Sequence, residues 1–258
     1  MVLHLDATAR AYKKGLTMPN PVAFIHTPKC GGTSIGSALR ARYFLSQATI
    51  NLKESRSLQA LLYPDAAGVA RIGHEFDVRD VMLAQLVGRK VCCISAHTRY
   101  HPGIRRTDPL NRKYITVLRE PISRFISHLH YVKRRHPESL EGESVDAFLD
   151  SDQAFRFGSE YLFYFARSHQ LGHPDVNHLI DTACKNLTTF DVVGDTTRMP
   201  YFRSKVEREL GVRLLPLKRN RRPSGAMPSF SDAQLTRIRQ ICEPDLAVYE
   251  FARNNLIV

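Results

Sequence analysis

Residues 24–43 read FIHTPKCGGTSIGSALRARY. The run Val22-Ala23-Phe24-Ile25, cut off from what precedes it by Pro19-Asn20-Pro21, has the pattern of a short buried parallel strand. After the glycines, Ser34 to Leu45 reads as a helix with Ile35, Ala38 and Leu39 on one face. Strand, glycine-rich turn and helix, in that order, present backbone N–H groups and the positive end of a helix to an anion. Gly31 and Gly32 let the backbone approach closely, Thr33 and Ser34 add hydroxyl donors, and Lys29 adds a full positive charge. In a loop of the form G-x-x-x-x-G-K-[ST] the lysine follows the last glycine and the hydroxyl serves Mg²⁺. Here the lysine precedes both glycines. The loop therefore reads as a phosphate grip, and a nucleoside triphosphate–magnesium site is disfavoured. A tight turn before a helix, with no ligand, is the plainer alternative.

Further strands are expected at Lys90–Ser95 (KVCCIS), Tyr114–Leu118 (YITVL, rich in β-branched residues) and Asp191–Gly194. Helical patterns occupy Val78–Val87, a long segment opened by Pro121, Val145–Leu149, Glu160–Ala166, Asp175–Leu187 and Tyr201–Leu210. A last helix is expected from Ser231, a plausible cap, to Asn254. The stretch between the first helix and Val78 reads as polar and irregular. These elements predict an α/β fold: a single P-loop-like three-layer domain, its central and mainly parallel sheet flanked by helices. The domain is expected to take in residues 1–258, with its core at about 22–253 and residues 1–20 as an N-terminal extension. No repeat or linker divides the chain.

Among 258 residues, 37 Lys+Arg face 25 Asp+Glu, a net charge of +12 that favours anionic partners. Nucleic acid is nevertheless not expected as a partner: tryptophan is absent, the arginines are dispersed and no binding module is recognisable. The five cysteines lack the paired spacing of a zinc site, and reduced thiols in a cytoplasmic protein are the simplest account. No run approaches the roughly 20 apolar residues of a membrane span, and the N-terminus lacks the apolar stretch of a signal peptide.

A second motif, YITVLREPISRFISHLHY at 114–131, places Arg119 at the C-terminal end of a strand, where open α/β sheets bind ligands. Arg119 offers a planar fork for phosphate oxygens, and Ser127, two helical turns further, offers a neutral donor. Together PKCGGTS and LREPISRFISHLHY resemble the carbohydrate branch of the sulfotransferases that use 3′-phosphoadenosine 5′-phosphosulfate (PAPS). There PKTGGTS wraps the 5′ phosphosulfate and LRDPxxRxxSxY binds the 3′ phosphate. This chain has Cys30 for threonine, Glu120 for aspartate, and His130-Tyr131 near the expected tyrosine. Ser95-Ala96-His97-Thr98-Arg99-Tyr100 stands where the family often has Ser-Gly-His-x-x-Tyr, and NLTTFDVVGDTTRM and DLAVYEFAR resemble its C-terminal parts.

The resemblance implies transfer of a sulfuryl group from PAPS to a carbohydrate hydroxyl, with the desulfated nucleotide PAP as product and no metal. It implies that Lys29, Gly31, Gly32, Thr33 and Ser34 hold the 5′ end and that Arg119 and Ser127 hold the 3′ phosphate. Lys29 would meet charge developing on the leaving oxygen. His97, at the ligand-binding edge after KVCCIS, is the expected general base, with His74 and Glu75 as alternatives. His101, His128, His130 and His136 read as surface or packing residues, and Arg124 as an ion-pair partner or a cofactor contact. The basic loop Lys218–Gly225, with Arg221 and Arg222, is placed where related enzymes close over the nucleotide. Arg99, Arg105, Arg106, Arg112 and Lys113 are candidates to line an acceptor cleft, which would suit an anionic polysaccharide or a glycolipid. The competing reading is a P-loop kinase-like phosphotransferase acting on a small molecule. A soluble, bacterial-type cytoplasmic enzyme is expected, with the lumenal domain of a Golgi enzyme as the alternative. Oligomeric state is not legible.

Overall fold

The computed structural model describes residues 19–135, 144–168, 175–215 and 230–257. Five strands form one parallel sheet: β1 (Val22–Ile25), β2 (Gln47–Ala48), β3 (Cys93–Ala96), β4 (Lys113–Leu118) and β5 (Val192–Asp195), in the order β2-β3-β1-β4-β5. β1 is central, and all four of its residues are buried, because helices cover both faces of a parallel sheet. Its register sets Val22 beside both Cys93 and Lys113, and Ile25 beside Ala96. Side-chain rungs extend the pairing of β1 with β4: Thr116 Oγ1 donates to the Ile25 carbonyl at 2.9 Å, and Thr27 Oγ1 to that of Val117 at 3.0 Å.

After β1 the chain fills one side of the sheet with β2 and β3, then crosses to the other side for β4 and β5. The order reverses at β1, which opens a crevice at the C-terminal ends of the strands. Five places follow the sequence closely: β1, β4, α5 (Pro121–Arg135), α8 (Val176–Leu187) and β5. The helix expected over Ser34–Leu45 is α1, Gly32–Arg42, and β3 begins at Cys93 and takes in Ala96.

Two expectations need correction. The stretch read as irregular holds β2, α2 (Leu52–Leu62) and the first half of α3 (Gly68–Gly88). Helix α2 is capped by Asn51, which accepts from Lys53 N–H at 3.0 Å, but its apolar pattern is inverted. Ser55 and Gln59 are buried while Leu58, Leu61 and Leu62 are exposed, so periodicity points the wrong way. The expected last helix is two: α10 (Asp232–Ile241), with Ser231 in a capping box, and α11 (Glu243–Asn255). Pro244 in the first turn of α11 has no N–H with which to continue α10.

The remaining elements are α4 (Pro102–Arg106), α6 (Val145–Leu149), α7 (Asp152–Gly158), a π-helical turn (Leu162–Ala166), a 3-10 turn (Thr196–Arg198) and α9 (Met199–Leu210). Among the described residues no helix is long and apolar enough to cross a membrane. All five cysteines are free.

Candidate active site

The loop between β1 and α1 is wound by two residues in the left-handed region, Lys29 (φ 63°) and Gly31 (φ 68°). A lysine there costs roughly 1–2 kcal/mol, a strain typical of ligand clamps. Gly31 is the N-cap of α1 and supplies no side-chain hydrogen bond, and the first turn carries no acid. The helix therefore opens with no side-chain cap from Gly31 and no carboxylate of its own against the positive dipole end, an arrangement suited to an anion. Gly32 is required for another reason. A Cβ at this position would lie 2.3 Å from the His26 ring and 2.8 Å from that of Phe24.

Arg119 meets this loop from the end of β4, its Nη1 donating to the Lys29 carbonyl at 3.3 Å. Lys29, Gly31 and Arg119 line one cleft of about 360 Å³, closed on its other walls by Glu120 and Ser123 at the start of α5 and by Thr196, Thr197 and Met199 after β5. Glu120 is already committed, accepting from the N–H groups of Ile122 (2.9 Å) and Ser123 (2.7 Å). Its carboxylate thus caps α5, and the helix start without a carboxylate at the crevice belongs to α1. Lys29 Nζ lies 4.3 Å from the centre of the Tyr131 ring. Burial, then the charges of Arg134 and Arg119, lower its pKa from the ordinary lysine value. Ser127 sits one turn beyond Ser123 on α5, outside the cleft lining.

His97 follows β3 at the same sheet edge. Its ring stacks on that of His26 with centroids 4.1 Å apart, and His26 in turn stacks on Phe24 at 5.2 Å. Burial and the charge of Arg79 push the His97 imidazole down to about 4, against a hydrogen bond to the His26 main chain and the charge of Glu160. Burial, His97 and Arg40 push His26 down to about 2. Both rings are thus neutral at pH 7. Neither imidazole is among the residues lining the Lys29–Arg119 cleft, and His26, stacked between Phe24 and His97, was not singled out in the sequence. The signal was its place at the end of β1, on the same edge as His97.

The alternatives on α3 have other partners. His74 stacks on Tyr63 at 4.0 Å and lies 3.4 Å from Asp77. Glu75 pairs with Arg79 and accepts from Ser55 at 3.4 Å, while Arg79 donates to the His97 carbonyl at 3.2 Å. His101 caps α4, His128 stacks on Phe157 at 3.8 Å, and the His130 ring lies 6.0 Å from that of Phe230. His136 and the basic loop Lys218–Gly225, with Arg221 and Arg222, lie outside the described residues.

Of the five residues expected along an acceptor cleft, two are internal. Arg99 is fully buried between Asp77 (2.7 Å) and Asp80, and Arg112 is fully buried against Asp108. Arg105 and Lys113 share Asp191, each at 3.1 Å, and Arg106 alone of the five is exposed. Arg124 also points inward, paired with Asp245 at 3.2 Å and near Glu160 at 3.7 Å. Among the described residues no group of three or more His, Cys, Asp or Glu gathers as a metal site.

Comparison with known proteins bears on this geometry. The sequence matches the family model described as galactose-3-O-sulfotransferase over residues 9–181, about two thirds of the chain, a span that holds Lys29, His97, Arg119 and Ser127. No curated protein matches. A solved structure from work on the PezAT chromosomal toxin–antitoxin system of the human pathogen Streptococcus pneumoniae is 13% identical, over 96% of this chain and 94% of that one. Its TM-score of 0.32 is too low to support any argument. The family match and the two motifs agree: the chain belongs to the galactose-3-O-sulfotransferase family, within the PAPS-dependent carbohydrate sulfotransferases.

Proposed function

We propose that the protein moves a sulfuryl group from PAPS to a carbohydrate hydroxyl, and that the hydroxyl is the 3-hydroxyl of a galactose residue. The observation that carries this reading is the hydrogen bond from Arg119 to the Lys29 carbonyl, which joins the two anion-binding motifs in one cleft. The cradle fits the nucleotide: a helix start without a carboxylate in its first turn, Lys29, and two left-handed residues suit the 5′ end, and Arg119 suits the 3′ phosphate. When bound, the donor supplies an activated sulfuryl group on a phosphosulfate anhydride.

The protein's own part is positioning and charge. Lys29 neutralises the negative charge that grows on the leaving oxygen; burial first, and then the charges of Arg134 and Arg119, hold its pKa below the ordinary lysine value. His97 accepts the proton of the acceptor hydroxyl. It is neutral when the substrate arrives, and an anionic donor nearby raises its proton affinity from the low value of the free protein. Ser127 and the arginines at 221 and 222 complete the nucleotide contacts. Arg99 and Arg112 are taken up by buried carboxylates and are not available to an anionic acceptor, so a neutral galactoside is the acceptor we favour.

The kinase-like alternative needs an acid for Mg²⁺ at a strand end. Asp195 holds that place at the end of β5, but it is buried and accepts from Thr197 N–H (2.6 Å), Thr197 Oγ1 (2.8 Å) and Tyr249 Oη. The test is transfer of labelled sulfate from PAPS to galactose-terminated glycans. Transfer is expected, and it should be lost when the 3-hydroxyl is blocked. Transfer to no galactoside, or undiminished transfer to the blocked one, contradicts the proposal.

A further inference from the structure

The pairing of β4 with β5 ends at Leu118 and Asp195, so the peptide groups of Arg119 lie just beyond the ladder. One side chain takes up both. Arg119 N–H donates to Tyr161 Oη at 2.8 Å, and the same hydroxyl donates its proton to the Arg119 carbonyl. The Tyr161 hydroxyl also lies 3.8 Å from Cys30 Sγ, inside the phosphate loop. Tyr161 is fully buried and firmly held. Its N–H donates to both oxygens of Asp245 at 2.9 Å, Asp245 is paired with Arg124, and the Arg124 guanidinium lies 5.4 Å from the Tyr161 ring. The π-helical turn Leu162–Ala166 follows immediately, a backbone irregularity often found beside functional sites.

We propose that Tyr161 is the positioning residue that sets Arg119 against the phosphate loop, so that the two ends of one nucleotide are gripped at a fixed separation. The inference rests on the PAPS reading above and adds to it a side chain that does not touch the donor. Tyr161 acts through the Arg119 main chain. Any rotation of that peptide is carried to the guanidinium, and a misplacement of about 1 Å at a reacting or binding group can cost on the order of 10²-fold. The buried Asp245–Arg124 pair supplies the rigid base, because removing either charge leaves the other uncompensated.

The experiment compares binding of PAP with that of 5′-AMP, the same nucleoside and 5′ phosphate without the 3′ phosphate. Tyr161→Phe is expected to weaken PAP about tenfold and 5′-AMP less than about twofold. In an Arg119→Ala background, Tyr161→Phe is expected to change PAP affinity by less than about twofold. Equal losses for the two nucleotides, or a tenfold loss that persists without the Arg119 side chain, overturn the inference. A wild-type protein that holds PAP no better than 5′-AMP overturns the donor reading and the inference with it. Should Tyr161→Phe fail to fold, amide exchange of the wild-type protein decides. Protection of the Arg119 N–H like that of the β4 amides supports the clamp, and exchange as fast as an exposed loop amide overturns it.

Discussion

Arg119 and Arg124 belong to one motif and one turn of chain, yet the structure uses them in opposite ways. Arg119 stands on the wall of the cleft, reaching the Lys29 carbonyl. Arg124 is fully buried against Asp245 and Glu160, as Arg99 and Arg112 are against their own aspartates. The difference teaches how a strongly basic sequence should be read. A cationic side chain marks a ligand site when the fold sets it at a strand end beside a helix start that carries no carboxylate. Where the fold brings a carboxylate to it, it is part of the frame.

This contrast breaks most sharply at Arg124. Arg124→Ala should lower stability by about 3–5 kcal/mol, read as a fall in the denaturation midpoint, because Asp245 is left buried without its cation, while Glu160 keeps Arg156 at 3.0 Å. If Arg124→Ala keeps its stability and loses only nucleotide affinity, the division between frame and grip is wrong. Lys29→Ala should leave the midpoint nearly unchanged and cut kcat by about 10²–10³-fold, the effect of removing one group that stabilises transition-state charge. Turnover that survives the change would return Lys29 to a simple phosphate contact.

The histidines add a pH dependence: burial keeps His26 and His97 neutral at the sheet edge, as it does His128 in the frame. His26 and His97 have folded-state values near 2 and 4, against 6.5 in the unfolded chain. The unfolded state therefore binds protons more readily below pH 6.5. Stability is fully present above that value and is lost as pH falls from 6.5 toward 4, at about 1.4 kcal/mol per unit for each ring. Denaturant melts at pH 7 and 5.5 should show the fall, and His26→Phe should reduce it. A flat profile over that window would mean that the pair is protonated in the folded protein. Arg119→Ala comes next: about 10–100-fold weaker PAP binding, the worth of a charged hydrogen-bonded contact, with stability nearly unchanged. Arg106→Ala, the exposed member of the 99–113 tract, should change stability by less than about 0.5 kcal/mol and leave transfer to a neutral galactoside intact. A marked loss of transfer there would restore an acceptor role to that surface.

Much of this was legible in the sequence because local chemistry and fold agree. Lys29 and the glycines follow an apolar strand, and Arg119 follows a β-branched one, so both fall at the crevice where the sheet order reverses. Helix α2 was not legible, because it buries Ser55 and Gln59 and exposes leucines, against the rule that periodicity relies on. The fates of Arg99, Arg105 and Arg112 were hidden for a different reason. Their carboxylates, Asp77, Asp80 and Asp191 among them, come from other elements, except for Asp108, which stands four residues before Arg112. The stacking of His26 on His97 depends on the parallel pairing of β1 with β3, which neither segment announces alone.

The central claim is that the β1–α1 loop and the end of β4 form a single two-ended grip for an adenosine bisphosphate. Titration calorimetry with PAP in the absence of Mg²⁺ tests it most directly. Saturable one-to-one binding, sharply weakened by Arg119→Ala, is the expected result. A protein that takes up no PAP under these conditions, or one that needs Mg²⁺ to do so, would contradict the account.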